Sequence, residues 1–309
     1  MPPSRDLLER IQRLRGLFVD ETRGADALGD YWRSAADVAA YDAVLGARIG
    51  WKWDAALGEC RDRGWLRADD ATVLDFGCGS GIAARRFVHW FGAREVILHD
   101  RSKVATEFAV EALRATNVRA RGGRDVADAA PDVLLVSHVL GELDENGERA
   151  LRRLIDRSRR VVIVEPGSKV VARRLASLRD SLLGEWHVVA PCPHAARCPT
   201  LAGSDDWCHF FAPPPQEVFT DGDWVHTLRA LGLDARSLPY SFLALSREPV
   251  TSAPPPQRVL GRPRHGAHTT AVMVCEADGL RTVAVQKRTD AATWRALKKH
   301  PESVRSLPR

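Results

Sequence analysis

Residues 73–81 read VLDFGCGSG, an apolar run that ends in a glycine-rich turn. ATVLDF (71–76) has the character of a buried strand, and GIAARRFVHWFG (81–92) has helical spacing closed by Gly92. Gly77, Gly79 and Gly81 therefore stand between a strand and a helix, where glycine permits a tight turn and close approach of a ligand to the backbone. The first turn of the helix offers free N–H groups to an acceptor. Asp75 precedes the first glycine by two residues, and Asp100 ends the next strand, EVILHD (95–100). A carboxylate at that strand end can accept both ribose hydroxyls of a nucleoside. A dinucleotide fingerprint needs its third glycine one position later, where Ile82 stands, so the spacing disfavours a dehydrogenase.

Outward from this loop, strands and helices alternate. PDVLLVSHVL (131–140) reads as a third strand, followed by a helix to about Ser158. RRVVIVEPG (159–167) reads as a fourth, with a helix over 169–182. Apolar strands alternating with amphipathic helices predict a parallel sheet covered on both faces. The stretch 5–60 reads as helical, with Leu7, Leu8, Ile11, Leu14 and Leu17 on one face, and WKWDAALGECRDRGWL carries the pattern to about Leu66. The alternation breaks near residue 184. Beyond it, DWVHTLRALGL (223–233) is expected to be a helix and PYSFLALSREP (239–249) an antiparallel edge strand. The sequence APPPQ occurs twice, at 212–216 and 253–257, and the second copy marks a linker. HTTAVMVCEADGLRTVAVQKR (268–288) then reads as a hairpin around an Asp-Gly turn, before a short basic helix, ATWRALKKH. The expected units are a helical region 1–66, an α/β domain 67–250 with a Cys-rich segment 190–210, and a basic β-hairpin extension 251–309.

With 45% hydrophobic and 28% charged residues, the 309-residue chain has the composition of a soluble globular protein, which excludes a disordered chain. No apolar run reaches the ~18 residues of a membrane span. The acidic residues Asp6, Glu9, Asp20 and Glu21 do not suit a targeting leader, which points to a bacterial cytoplasm, or to the mitochondrial matrix if the source is eukaryotic. The net charge of +5 is uneven: residues 250–309 hold eleven Lys+Arg against four Asp+Glu. A localised basic segment suits a polyanion, most simply RNA, and equally suits a solvated surface. Arg258, Arg262, Arg264, Lys287 and Arg288 are the candidate RNA contacts.

The glycine loop with Asp75 and Asp100 closely resembles class I methyltransferases. The resemblance implies a Rossmann-like fold that binds S-adenosylmethionine, with Asp75 near the methionine amino group, the three glycines against the cofactor and Asp100 on the ribose. His138 is a further candidate contact. Where amino-methylating members carry an Asn/Asp-Pro-Pro-aromatic loop, this chain has SHVLGEL (137–143), and it has no cysteine nucleophile there. His138 and Glu142 can do proton work but serve equally well as turn residues. A Rossmann-like domain that has lost its cofactor is the alternative.

The second signal is APCPHAARCPTLAGSDDWCHF (190–210), with the spacing Cys192-x5-Cys198-x9-Cys208. Two of these cysteines precede proline, as recurs in iron–sulfur ligation. The paired short spacings of structural zinc sites are absent, but His194 and His209 offer nitrogen ligands that keep zinc open. Cys275, in the hairpin, is the best fourth ligand, and three free buried thiols is the bland reading. Cys60 and Cys78 are expected to be unligated.

Together VLDFGCGSG, VEPGS (164–168), APCPH-x3-CP (190–199), WCHF (207–210) and the GRPRHG…VC…DG segment (261–279) resemble the family of methyltransferase-like proteins linked to assembly of the mitochondrial ribosomal small subunit, which has many bacterial members. The resemblance runs from about residue 30 to 300 and departs in the N-terminal helical part. It implies a [4Fe–4S] cluster on Cys192, Cys198, Cys208 and Cys275, S-adenosylmethionine at the glycine loop, and contact with small-subunit rRNA. The chain is separately expected to be monomeric off the ribosome. Three functions follow as expectations: a ribosome-assembly and translation factor, an active rRNA methyltransferase, and a redox- or iron-sensing RNA-binding protein.

Overall fold

The computed structural model describes residues 3–18, 30–65, 67–116, 118–203, 205–250 and 252–308. Residues 19–29 and Leu66 of the expected helical region, with Asn117, Ser204, Thr251 and the chain ends, lie outside the described residues.

The N-terminal region contributes α1 (Arg5–Phe18), α2 (Ala35–Tyr41), a π-helical turn (Asp42–Gly46) and α3 (Ala47–Asp62). The alternating part follows as β1 (Thr72–Phe76), α4 (Ile82–Phe91), β2 (Glu95–His99), α5 (Lys103–Arg114), β3 (Arg119–Gly122), β4 (Val133–Ser137), α6 (Glu145–Arg157), β5 (Arg160–Pro166) and α7 (Lys169–Ser181). Then come β6 (His187–Ala190), β7 (Phe210–Phe211), α8 (Glu217–Thr220), α9 (Gly222–Ala230) and β8 (Pro239–Ser246). The strand order is β3-β2-β1-β4-β5-β8-β6, with β7 also on β8. Strands β1 to β5 are parallel and β8 is antiparallel to β5. This is a Rossmann-like class I methyltransferase fold.

The parallel strands are apolar throughout because they are buried on both sides. Val73, Leu135 and Val162 face one cluster with Trp53, Leu57, Phe87 and Phe91 of α3 and α4. Leu74, Leu134 and Ile163 face the other with Leu154 and Leu175 of α6 and α7. One expectation needs correction, and two strands were not anticipated. The segment at 239–246 is antiparallel but not at the edge, because β6 pairs beyond it. That four-residue strand lies at the mouth of the Cys-rich loop and has no alternation to betray it. β3, RARG, is polar and escapes a search for apolar runs.

The C-terminal hairpin is a three-stranded antiparallel sheet, β11-β10-β9, made of β9 (Arg258–His265), β10 (Thr269–Glu276) and β11 (Gly279–Gln286), followed by α10 (Ala291–Lys299). Pro263 and the charges of RVLGRPRH hide β9 from sequence reading, and proline is tolerated there because β9 is an edge strand. The sheet has its own apolar cluster of Val259, Val272, Val274, Val285, Leu297 and Leu307, while Leu260 and Cys275 join the main core.

A buried ion pair fastens this sheet to α3. Arg258 Nη1 lies 2.8 Å from Glu59 Oε1, and the two residues are 4% and 2% exposed. Arg63 and Arg305 crowd the same carboxylate. Removing one partner of a buried pair leaves an uncompensated charge. Glu59→Ala is therefore expected to lower unfolding stability by about 3–5 kcal/mol, read by urea denaturation. A loss below about 1 kcal/mol, the worth of an exposed pair, would show that the pair does not hold the seam.

Candidate functional site

A cavity of about 500 Å³ opens at the carboxyl ends of β1, β2, β4 and β5, where sheets of this kind bind ligands. It is lined by Gly77, Gly79, Asp100, His138, Lys52, Glu142 and Glu165 among others. The backbone N–H groups of Gly77 and Cys78 donate to the His99 carbonyl, at 2.8 and 2.9 Å. The Gly79 N–H donates to Asp100 Oδ2 at 2.9 Å, and the Ser102 N–H donates to Oδ1. The turn is thus strapped to the end of β2 by the expected ribose acceptor itself. Gly77 has φ +73°, and a Cβ there would stand 2.4 Å from Val139 Cγ2. At Gly79 a Cβ would meet nothing within 4 Å, so the backbone lies open to the cavity.

Asp75 is fully buried at the base of the turn. Its Oδ2 accepts the Ala84 N–H at 3.1 Å and so caps α4, while Oδ1 has no hydrogen-bond partner among the described residues. Burial pushes its carboxyl up to about 7. Asp75 and Gly81 shape the loop from beneath and do not line the cavity.

The floor holds groups that sequence reading missed. Glu165, from VEPGS, is fully buried, and its Oε1 accepts the N–H groups of Val139 and Leu140 at 3.0 and 3.1 Å. Its Oε2 has no partner among the described residues, and burial pushes the carboxyl up to about 8. Lys52 enters from α3, and burial, with Arg48 nearby, pushes its ammonium down to about 7. His138 has φ +57° and an unpartnered buried Nε2, and burial beside Lys52 keeps its ring neutral. Burial also raises Asp100, and it raises Glu142 to about 7. The signal for Glu165 was present in a quoted motif. Lys52 sits in an ordinary helical stretch and has no local signal.

The four cysteines expected as ligands converge. Cys192, Cys198, Cys208 and Cys275 line one small cavity with His194, Arg179 and Arg258. Arg179, at the end of α7, donates from Nε to Cys192 Sγ at 3.2 Å and from its Nη atoms to the Ala196 and His194 carbonyls at 2.8 Å. Asp180 accepts the Cys198 N–H with both oxygens, at 3.1 and 2.9 Å. Cys198 Sγ lies 3.2 Å from Thr200 Oγ1, and Cys275 Sγ lies 3.5 Å from His194 Nε2. Burial raises Cys192 and Cys208, and it raises Cys275 to about 12, each helped by neighbouring cysteines. Among the described residues, no three His, Cys, Asp or Glu already stand in an ion-holding arrangement. The donor set nevertheless fits a thiolate-held cluster. Four sulfurs share one cavity, and the buried guanidiniums of Arg179, Arg63 and Arg258 lie around it with cationic charge to offset thiolates.

His209 is not beside the cysteines. Alternation along WCHF turns it away from Cys208 and stacks it on Trp207, with centroids 4.7 Å apart, so of the two histidines only His194 adjoins the thiols. Cys60 and Cys78 are buried outside the cysteine cavity. Among the candidate RNA contacts, Arg262, Arg264, Lys287 and Arg288 are exposed. Arg258 is corrected: its buried guanidinium is spent on Glu59 and on the Phe210 ring, 4.3 Å away, and is withdrawn from any surface.

A family model described as mitochondrial small ribosomal subunit Rsm22 matches residues 66–301. The chain belongs to the Rsm22 family. No curated protein matches it. Among solved structures, the plantazolicin methyltransferase BpumL, determined with SAH, is similar at 13% identity and TM-score 0.41, over 79% of this chain and 99% of that one. A Pyrococcus horikoshii protein provisionally assigned as an RNA methyltransferase is similar at 14% identity and TM-score 0.38, over 65% and 84%. TrmK of M. capricolum is similar at 7% identity and TM-score 0.37, over 63% and 69%. Among the described residues, no helix of this Rsm22 family member is long and apolar enough to cross a membrane.

The raised carboxyls make a pH prediction. Glu165 is held protonated in the fold above its ordinary value of 4.5, so its stabilising contribution is full below that value and is lost as pH rises through about 8. Glu165→Gln removes the titration. The thermal midpoint of the variant relative to the native chain should therefore rise between pH 5 and 8, measured without ligand. A difference that stays constant with pH would show that the carboxyl does not ionise there.

Proposed function

We propose that this protein binds S-adenosylmethionine in the larger cavity, carries a [4Fe–4S] cluster on Cys192, Cys198, Cys208 and Cys275, and acts on the ribosomal small subunit by binding its rRNA. The observation that carries the reading is the pairing of two built cavities with a basic sheet that walls the second through Arg258, Leu260 and Cys275. The cofactor cavity fits a cationic nucleoside. Asp100 is placed for the ribose, and the Gly79 backbone is open. Asp100 and Glu165 are lining carboxylates with no ion pair among the described residues, and a sulfonium compound with an amino group offers them positive charge. In the cysteine cavity, Arg179 donates to Cys192, and such N–H···S bonds steady a cluster and tune its potential. When bound, the cluster supplies cross-linking of β10 to the 192–208 loop. The family's printed name supports a small-subunit partner, in the mitochondrial matrix for a eukaryotic source and the cytoplasm for a bacterial one. Arg262, Arg264, Lys287 and Arg288 supply phosphate contacts, and the chain acts as a monomer off the ribosome.

One observation favours a second reading, an active rRNA methyltransferase. Lys52, with its ammonium near 7, shares the cavity with His138 and Glu165. A neutral Lys52 amine is placed to accept the proton that a nucleophilic nitrogen or oxygen loses when it is methylated, as a general base poised near operating pH. S-adenosylmethionine supplies the methyl group. The chain orients the acceptor and takes the proton.

Isothermal titration with S-adenosylmethionine should show binding that Asp100→Ala weakens by at least tenfold. Incubation of immature small-subunit particles with methyl-labelled cofactor then separates the readings. Binding without transfer supports the assembly factor. Transfer that Lys52→Met reduces by about 10²–10⁴ supports the enzyme. Absence of cofactor binding overturns both.

A further inference from the structure

Residues 207–211, WCHFF, interleave a cysteine-cavity residue with a row of aromatic rings. Cys208 and Phe210 turn inward, to the cysteine cavity and the main core. Trp207, His209 and Phe211 lie on the other side, half-buried, and their rings touch in sequence. Trp207 and His209 stack at 4.7 Å with planes 16° apart, and Phe211 meets His209 edge-on at 5.7 Å. The Arg262 guanidinium lies over Phe211, 4.3 Å from its centroid. This row is built rather than incidental. Gly261 has φ +64°, its N–H donates to the His209 carbonyl at 2.9 Å, and a Cβ there would stand 3.1 Å from the His209 ring. Glycine at 261 is what lets β9 lie close enough to set Arg262 over Phe211.

The ends of the row have direction. Trp207 Nε1 donates to the Gly167 carbonyl at 2.9 Å, and Pro166, Ser168 and Val170 on either side of Gly167 line the cofactor cavity. Val170 is 63% exposed, an unusual exposure for an apolar side chain at a cavity mouth. From the other end, β9 runs on from Arg262 to Arg264. The pairing of Thr270 with His265 and of Lys287 with His268 brings Lys287 and Arg288 to the same end of the small sheet. Rings next to a guanidinium, flanked by further cations, suit one ligand chemistry: unpaired nucleobases on a phosphate backbone. Every base has a face to stack, and a duplex hides those faces.

We propose that Trp207, His209, Phe211 and Arg262 form a stacking track for single-stranded RNA that leads from the basic sheet to the mouth of the cofactor cavity. The inference rests on the RNA-binding reading above and adds the strand state of the RNA, the residues that hold its bases and the route they take. The phosphates lie along Arg264, Lys287 and Arg288, and the bases lie on the rings.

Fluorescence anisotropy of the full chain with a labelled ten-nucleotide single strand, and with the matching duplex, tests this across a salt series. Phe211→Leu and Trp207→Leu should each weaken single-strand binding about tenfold, change duplex binding little and leave the salt slope as it was. Trp207→Phe should restore most of the loss. Arg264→Gln with Lys287→Gln should weaken both ligands and flatten the slope. If the native chain binds no RNA, the RNA-binding reading falls and the track with it. If it binds RNA and Phe211→Leu, folded by its melting curve, binds as tightly, the track alone is overturned. A surface that instead docks a protein would show itself as ring-dependent binding to particles that survives nuclease treatment, which also overturns the track.

Discussion

The structure depends on a carboxylate and two guanidiniums, those of Arg63 and Arg258, that have been taken out of water. Glu59, near the end of α3, holds Arg258 of β9 and is approached by Arg63 and Arg305. One carboxylate does not balance the buried Arg63 and Arg258, while the more exposed Arg305 has Asp62 as its nearer partner, and Arg258 also lines the cysteine cavity. Buried positive charge beside four thiols is costly while the thiols are protonated and is offset once they are thiolates. The seam that attaches the small sheet and the site proposed to hold the cluster are therefore one electrostatic problem. This explains why Cys275, far along the chain, has a place in the cavity only because β9 and β10 are seated on α3.

One helix reaches both cavities, and another reaches the first cavity and the seam. α3 presents Lys52 to the cofactor cavity and Glu59 to the seam, and α7 presents Val170 and Arg174 to the first cavity and Arg179 and Asp180 to the cysteine loop. At 1.5 Å per residue, Lys52 and Glu59 are separated by only ~10 Å along the axis. The aromatic row joins the same two places along the outside, from Gly167 to Arg262. The cofactor cavity, the cysteine cavity and the basic surface are thus built on the same few rigid elements.

The glycine loop was legible because its geometry admits few other residues. A side chain at Gly77 collides with Val139, and the strand before it is apolar on both faces. The cysteine set was legible because its spacing has no use in a core. What escaped were features that sequence neighbours do not determine. β3 is polar, and β9 carries a proline and charges. Lys52 reaches the cavity only through the packing of α3, with Trp53 Nε1 bonded to Ser137 Oγ at 2.9 Å. Arg258 was misplaced for the same reason: counting charge along the chain cannot separate a guanidinium facing solvent from one paired with Glu59, 199 residues earlier. His209 against His194 was a matter of strand alternation, which could be applied only once 210–211 was known to be a strand.

The most direct test of the account is the iron and acid-labile sulfide content of the full chain purified without oxygen, with Cys275→Ser beside it. The account predicts about four iron and four sulfide per chain, falling sharply in the variant, since the cluster needs the ligand from β10. Zinc without iron, or a Cys275→Ser protein that keeps its full iron content, would contradict it.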